Sequence, residues 1–549
     1  MKFSEMPHER PDLRALSAAL RESAAKLKRA DGFGAAEAVM LSADEAVRRF
    51  DTAYAAAFIR FNADTEDEAC RADFRSFAAA APKAELAEKK WLAALGKSEF
   101  SAGFKAKYGK DFFDAAPELP PAAQRREAAL VGRYEDILGA ARVTLCGGEV
   151  TLTEAAALMK APDPERRYAA WEAVAGYFGS HAGELDGIFE RLVRIRARSA
   201  GEGGYAAMRC RALGRDMSGD DLFRKAVLSS AVPLADGIFR AFAKRTGLRY
   251  PLSPMDAKLA CAFPRPACTA RELPGVAARI LREMSPQTAE LADALFGGGY
   301  ADTEHRPGKS GDTFCIALPD SGMPFVLADL TGTGDDVQTL FHELGHAFAV
   351  YSARGIVPAR LRIPSPAACE TFAVCMEFFM RPYAERIFGG DAEKFRHAHL
   401  AQTVCAIPAE AMADRFQREV YADPSMTPRE RCGLWLALSE QYAPWLDLSA
   451  APPFFASGRG WQTVAHIYGE PFYYLEYALA RGTALQLSDG EHGGPEAWEA
   501  YLRAAGAGGT QSYTQLLGTA GLGSPYDAES FRAALSAAER ALREAGRLE

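Results

Sequence analysis

No CxxC pair occurs among the ten cysteines. The nearest couples, Cys261/Cys268 and Cys369/Cys375, lack the spacing of a zinc finger. A scattered set of this kind, with Cys315 and Cys405 in apolar surroundings, reads as free thiols in a reducing compartment. No run of 18 apolar residues is present, so no segment reads as a membrane span. The opening, MKFSEMPHERPDLRAL, has no apolar core segment and is not a secretory signal. These absences together give the expectation of a cytoplasmic protein. There is no basic excess either: the net charge is -8 and the pI about 5.8, which argues against a nucleic-acid partner. No internal repeat and no low-complexity tract stands out.

What is present is 549 residues of ordinary globular composition, enough for two or more domains. The first 190 residues are rich in Ala, Glu, Arg and Leu at helical spacing, as in LRALSAALRESAAKLKRA (13–30). We therefore expect a helical domain over 1–190 and a second, catalytic domain over 191–549. RVTLCGGEVTLT (142–153) reads as a short hairpin. The proline-rich stretch 246–275 reads as a long connection. The apolar runs 313–318 and 324–330 flank Pro319-Asp-Ser-Gly322 and give the one clear β signal. The remainder is helical, so the fold is mainly α with a small sheet.

Directly after that sheet comes QTLFHELGHAFAVY (338–351). Successive helical residues turn by about 100°, so His342 and His346 share a face and can converge on one cation. Glu343 stands beside the pair and can act on a water instead of on the metal. This is the HExxH pattern of a zinc site with a general-base glutamate. The helix is otherwise apolar (Leu340, Phe341, Leu344, Ala347, Phe348), and unpaired polar groups buried there would each cost roughly 1–3 kcal/mol. A bound ion satisfies several of them at once. Asp335 and Asp336 suit the first turn, where the helix dipole favours negative charge. Gly345 is a poor helix former whose use is to admit a neighbouring segment.

Two imidazoles need a third protein ligand. SPAACETFAVCMEFFM (365–380) offers Glu370 and Glu377, seven residues apart on one face of an otherwise apolar helix. Ser365 suits its cap and Pro366 its first turn. We assign Glu370 as the third ligand and Glu377 as support for the ligand set.

GTGDDVQTLFHELGHAF followed by ETFAVCME, with 23 residues between His346 and Glu370, resembles the thimet oligopeptidase and oligoendopeptidase F family of zinc metallopeptidases. MKFSEMPHERPDL, ADRFQREVYADP and WQTVAHIYGEPFYYLEYALARGTALQL extend that likeness to nearly the whole chain. The resemblance implies a multi-helix zincin of the gluzincin type. It implies a small β-sheet beside the metal helix, a deep central substrate channel and one Zn²⁺ per chain. Short peptides are the implied partners, with no nucleic acid and no membrane. It also implies that His466 and the tyrosines of AHIYGEPFYYLEYAL (465–479) face the zinc as oxyanion donors. Tyr477 and Tyr474 are favoured there, and Tyr473 stays open. The run MPFVLADLTGTG (323–334) is expected to be an edge strand that takes the substrate backbone, with Phe325, Leu327 and Asp329 as its contacts. Asp329 stands where the family commonly has Asn. The expected activity is internal cleavage of short peptides. A dipeptidyl carboxypeptidase on the same scaffold and an inactive peptide-binding homologue are the alternatives.

Overall fold

A computed structural model describes residues 2–8, 10–113, 117–145, 147–488 and 494–548. The chain is mainly helical and packs as two compact units, each assembled from three stretches. The first takes residues 1–115, 265–392 and 495–521. The second takes 116–264, 393–494 and 522–549. Residue 190, where the sequence reading divides the chain, lies inside the helix Pro164–Ser199.

The first unit begins with three helices, Leu13–Leu27, Phe33–Ala63 and Glu68–Gly96. The first is started by Asp12, whose carboxylate accepts from the Ala15 amide, and it buries Leu16, Leu20 and Leu27 at helical spacing. These leucines join Met40, Phe50, Phe77 and Trp91 in one core. Burial of each such side chain is worth about 1.5–3 kcal/mol.

Three strands follow: β1 (Ala301–Glu304), β2 (Phe314–Leu318) and β3 (Met323–Leu330). Their order is β1-β3-β2, with β3 parallel to β1 and antiparallel to β2. The two expected apolar runs are β2 and β3. β1 was not legible, because ADTE is short and polar. One further expectation is corrected here. β3 is the central strand, paired with β2 over Met323–Leu327 and with β1 from Val326 to Leu330, so it is not the expected edge strand. Phe325 and Leu327 are core residues. The Asp329 carboxylate faces His305 Nδ1 at 3.0 Å.

Thr333 caps the next helix, Gly334–Ser352, in a reciprocal capping box with Asp336. The Asp336 carboxylate also accepts from the amides of Thr331 and Gly332, so the turn leaving β3 is closed by one side chain. A loop leads to the helix Pro366–Met380, which has Pro366 in its first turn; Ser365 takes the cap position without a side-chain hydrogen bond. The two helices cross at Gly345. A Cβ there would lie 2.6 Å from Ala373 Cα and 2.8 Å from the Phe372 carbonyl oxygen. Behind the crossing, the Tyr501 hydroxyl donates to the Phe372 carbonyl at 3.0 Å. The rings of Phe348, Phe379 and Trp498 pack around it.

The second unit holds the short hairpin Val143–Leu145 with Gly148–Val150, and the long helices Pro164–Ser199 and Ala392–Ala422. Among the described residues one helix, Met217–Thr246, is long and apolar enough to cross a bilayer by length and composition. Protein already buries 56% of its apolar window. Its Asp220 and Arg224 sit in a buried charge network, so the surrounding protein is its solvent. All nine described cysteines are free thiols.

The crossing yields a stability prediction. Gly345→Ala forces backbone against backbone, and should destabilise the protein by about 1–3 kcal/mol despite alanine's better helix propensity. Urea unfolding measures it, and an unchanged or raised midpoint would contradict the close approach.

Candidate metal centre

His342 and His346 stand one turn apart on the first of the crossing helices, with ring centroids 4.8 Å apart and ring planes at 86°. Glu370 reaches them from the second. Its Oε2 lies 3.2 Å from His342 Nε2 and 3.7 Å from His346 Nε2. The three donor atoms all fall within 4.8 Å of one another. Ligands at about 2.0–2.1 Å from a tetrahedral ion are separated by roughly 3.4 Å, so this spacing fits a small divalent cation. The donor chemistry fits as well: two imidazole nitrogens and one carboxylate oxygen form a metalloprotease ligand set.

Glu377, seven residues on from Glu370, is held by both of its oxygens. One faces His342 Nδ1 at 2.8 Å, and the other accepts from Gln338 Nε2 at 2.8 Å. A carboxylate on Nδ1 keeps the proton there and leaves Nε2 free to bind metal. Gln338 was not singled out in the sequence, although it lies one turn before His342 on the same face, and that spacing was the available signal.

Glu343 is 7% exposed, Glu370 3% and Glu377 1%. Three carboxylates buried this close need positive charge between them. Burial is the largest influence on Glu343 and, with Glu370 and Glu377 nearby, pushes its carboxyl up to about 7. The Cys315 amide on β2 faces Glu343 and works the other way, as does His342. Burial alone would lower His342. Its hydrogen bonds to Glu370 and Glu377 outweigh that and raise it to about 10. Burial pushes His346 down to about 4. A proton on His342 thus supplies the charge that the donor set calls for, in the place a cation would fill.

His466 and the tyrosines belong to the second unit. His466 lies on the short helix Ala465–Gly469. Tyr474 begins the helix Tyr474–Ala484, with Tyr473 at its cap. All three tyrosine rings surround the imidazole, with centroids at 5.8 Å (Tyr473), 4.9 Å (Tyr474) and 5.8 Å (Tyr477). The Tyr477 hydroxyl is 3.4 Å from His466 Nε2. Burial pushes the Tyr474 phenol up to about 12, so it stays a proton donor at neutral pH.

Two anchors hold this cluster. Phe472, in the turn before the helix, is the one described non-glycine residue with positive φ, at 68°. A bulky residue rarely adopts that backbone, and here it is fixed by its amide donating to Gln417 Oε1 at 3.0 Å and by packing against Tyr205 and Tyr421. Glu476, fully buried on the tyrosine helix, pairs with Arg215 at 3.2 Å. Arg215 also faces Asp220 and Asp414, and Arg418 bridges those two acids.

Two predictions follow from these charges. In metal-free protein His342 titrates higher folded than unfolded. Its stabilising share is complete below about 6.5, the unfolded value, and is lost as pH rises towards 10. Thermal unfolding of chelated protein should therefore move to lower temperature across that window, and a divalent ion should flatten the slope; a chelated protein with no such slope would contradict it. Glu476→Ala removes the nearest of the three acids that face Arg215 and should cost about 1–3 kcal/mol in denaturant unfolding. A loss below about 1 kcal/mol would show that the pair does not anchor the helix.

A model of the peptidase M3 N-terminal domain matches residues 3–117, and a model of peptidase family M3 matches 284–535, a span that contains His342, Glu343, His346 and Glu370. Together they take in about two thirds of the chain. No curated protein sequence matches. Among solved structures, PZ peptidase A with an inhibitor is 28% identical, with a TM-score of 0.93 and 99% of both chains covered. A candidate oligoendopeptidase F is 29% identical, with a TM-score of 0.93 and the same coverage. A candidate oligoendopeptidase F from Bacillus anthracis str. Ames is 25% identical, with a TM-score of 0.88, covering 99% of this chain and 98% of that one. With the two family models in chain order and a shared fold over nearly its full length, this chain belongs to peptidase family M3, among the oligoendopeptidase F-like members, and is a peptidase.

Proposed function

We propose that the protein is a zinc-dependent oligoendopeptidase that cuts internal bonds of short peptides in the cytoplasm. The observation that carries this reading is the convergence of His342 Nε2, His346 Nε2 and Glu370 Oε2 beside a buried glutamate. Those three residues would hold one Zn²⁺, with Glu377 fixing the His342 tautomer. Bound there, the ion would supply Lewis acidity to the scissile carbonyl and acidify a water.

Glu343 is the proton carrier. Its buried carboxyl stands beside the ligand set, placed to take a proton from water and return it to the leaving amine. His466 and Tyr477, with Tyr474 beside them, are assigned as donors to the developing oxyanion by likeness to the family. Their mutual packing and the protonated phenol of Tyr474 support that role. The peptide substrates and the internal cleavage come from the oligoendopeptidase F relatives. The cytoplasmic placement is supported by the nine free thiols.

Glu343→Gln should keep about one zinc per chain by metal analysis while abolishing cleavage; wild-type turnover by this variant would refute the base assignment. Tyr477→Phe should lower kcat by about 10²–10³ if its hydroxyl holds the oxyanion. Mass spectrometry of a decapeptide blocked at both ends should show internal cuts that stop on chelation. Removal of dipeptides from a free C-terminus only, with the blocked peptide intact, would show a carboxypeptidase instead.

A further inference from the structure

The second unit carries an open apolar groove surrounded by arginines that the peptidase reading does not use. The helices Pro121–Gly139 and Pro164–Ser199 run antiparallel, as the pairings Glu127–Arg196, Arg133–Glu184 and Ile137–Tyr177 show. Where the start of one passes the end of the other they leave a shallow, open groove of about 440 Å³ whose own surface is almost wholly apolar. The stems of Arg126, Arg191, Arg194 and Arg198 line it with Leu130 and Ile195, and the four arginines are exposed, so their charged ends stand in solvent around it.

The charges are largely unneutralised. Arg194 pairs with Glu190, one turn back. Arg191 gives its Nε to the Gly187 carbonyl at 2.9 Å and has no carboxylate partner among the described residues. Among the described residues Arg126 and Arg198 make no ion pair. Like charges one turn apart on a helix repel, so the stripe at 191, 194 and 198 opposes its own helix. It is also a local inversion of sign on a chain of net charge -8.

We propose that this groove binds an acidic peptide segment in which apolar residues are interspersed among Glu or Asp. From Arg191 to Arg198 the helix rises about 10 Å, a span covered by three to four residues of extended peptide at about 3.3 Å each. The guanidiniums then meet carboxylates by paired hydrogen bonds, and Leu130 and Ile195 take the apolar side chains between them. Two other anions fit less well. A single phosphate is too compact for arginines spread over that length. Single-stranded nucleic acid stacks its bases on aromatic rings, and none lines the groove.

The test is fluorescence anisotropy with labelled, end-blocked Glu-Leu-Glu-Glu-Leu-Glu on the full chain with its metal as purified, carrying Glu343→Gln so that bound peptide persists. The acidic peptide should bind, and Arg126→Glu/Arg191→Glu/Arg198→Glu should weaken it at least tenfold with an unchanged unfolding midpoint. If that triple variant is destabilised, Arg198→Glu alone should weaken binding at least threefold. Binding should fall with added salt, and tripolyphosphate or oligo-dT should compete only at higher concentration than unlabelled peptide. No binding, smaller losses, equal binding of the lysine analogue, or stronger competition by either polyanion would overturn the proposal. Because the groove and the Glu343 chemistry are read separately, cleavage of the probe would count against the base assignment and leave the groove's result intact.

Discussion

Everything at the candidate metal centre depends on two helices crossing at backbone distance. With no side chain at Gly345, the Pro366–Met380 helix lies directly on the one bearing the histidines. A Cβ there would sit 2.6 Å from Ala373 Cα. That contact sets the depth at which Glu370 meets His342 and His346 and brings Glu377 up behind His342. One helix supplies His342, Glu343 and His346, the other supplies Glu370 and Glu377, and the crossing makes them one candidate site. The capping box at Thr333 and the aromatic packing behind Phe372 fix the two helices from either side.

Electrostatics then makes the arrangement specific. Three buried acids around two imidazoles form a negative pocket that is poorly satisfied by water and well satisfied by a compact cation. In the metal-free protein the same surroundings push the Glu343 carboxyl up. A second charge device works in the other unit. There Arg215, Arg418, Asp220, Asp414 and Glu476 balance each other out of water, and together with the left-handed backbone at Phe472 they lock the orientation of a tyrosine-bearing helix. Buried charge makes a site suited to a cation in one place and fixes a helix in the other.

Much of the site was legible because it obeys helical periodicity. His342 and His346 differ by four, and Glu370 and Glu377 by seven, inside apolar stretches that must be buried. Such spacing fixes a shared face whatever the surrounding fold. The strand pairing was not legible in this way. Alternation and turn residues mark Phe314–Leu318 and Met323–Leu330 as strands but say nothing of a third partner. ADTE at 301–304 carries no apolar signal, and its parallel pairing with Met323–Leu330 turns the expected edge into the centre of the sheet. Phe325 and Leu327 thereby became core, and Asp329 a partner of His305. Gln338 escaped notice because an amide one turn from a ligand is unremarkable until the carboxylate it holds is in place.

The sequence by itself determined the family, the mainly helical class, and which side chains share a helical face, because local periodicity and motif spacing are properties of the chain alone. Tertiary structure decided which faces meet: the Gly345 crossing, the grip of Glu377 on His342 and Gln338, the central place of the Met323–Leu330 strand, and the ring of tyrosines around His466. The physical reason is that these depend on contacts between segments far apart in the chain. Their geometry comes from packing and buried charge, which no local pattern encodes.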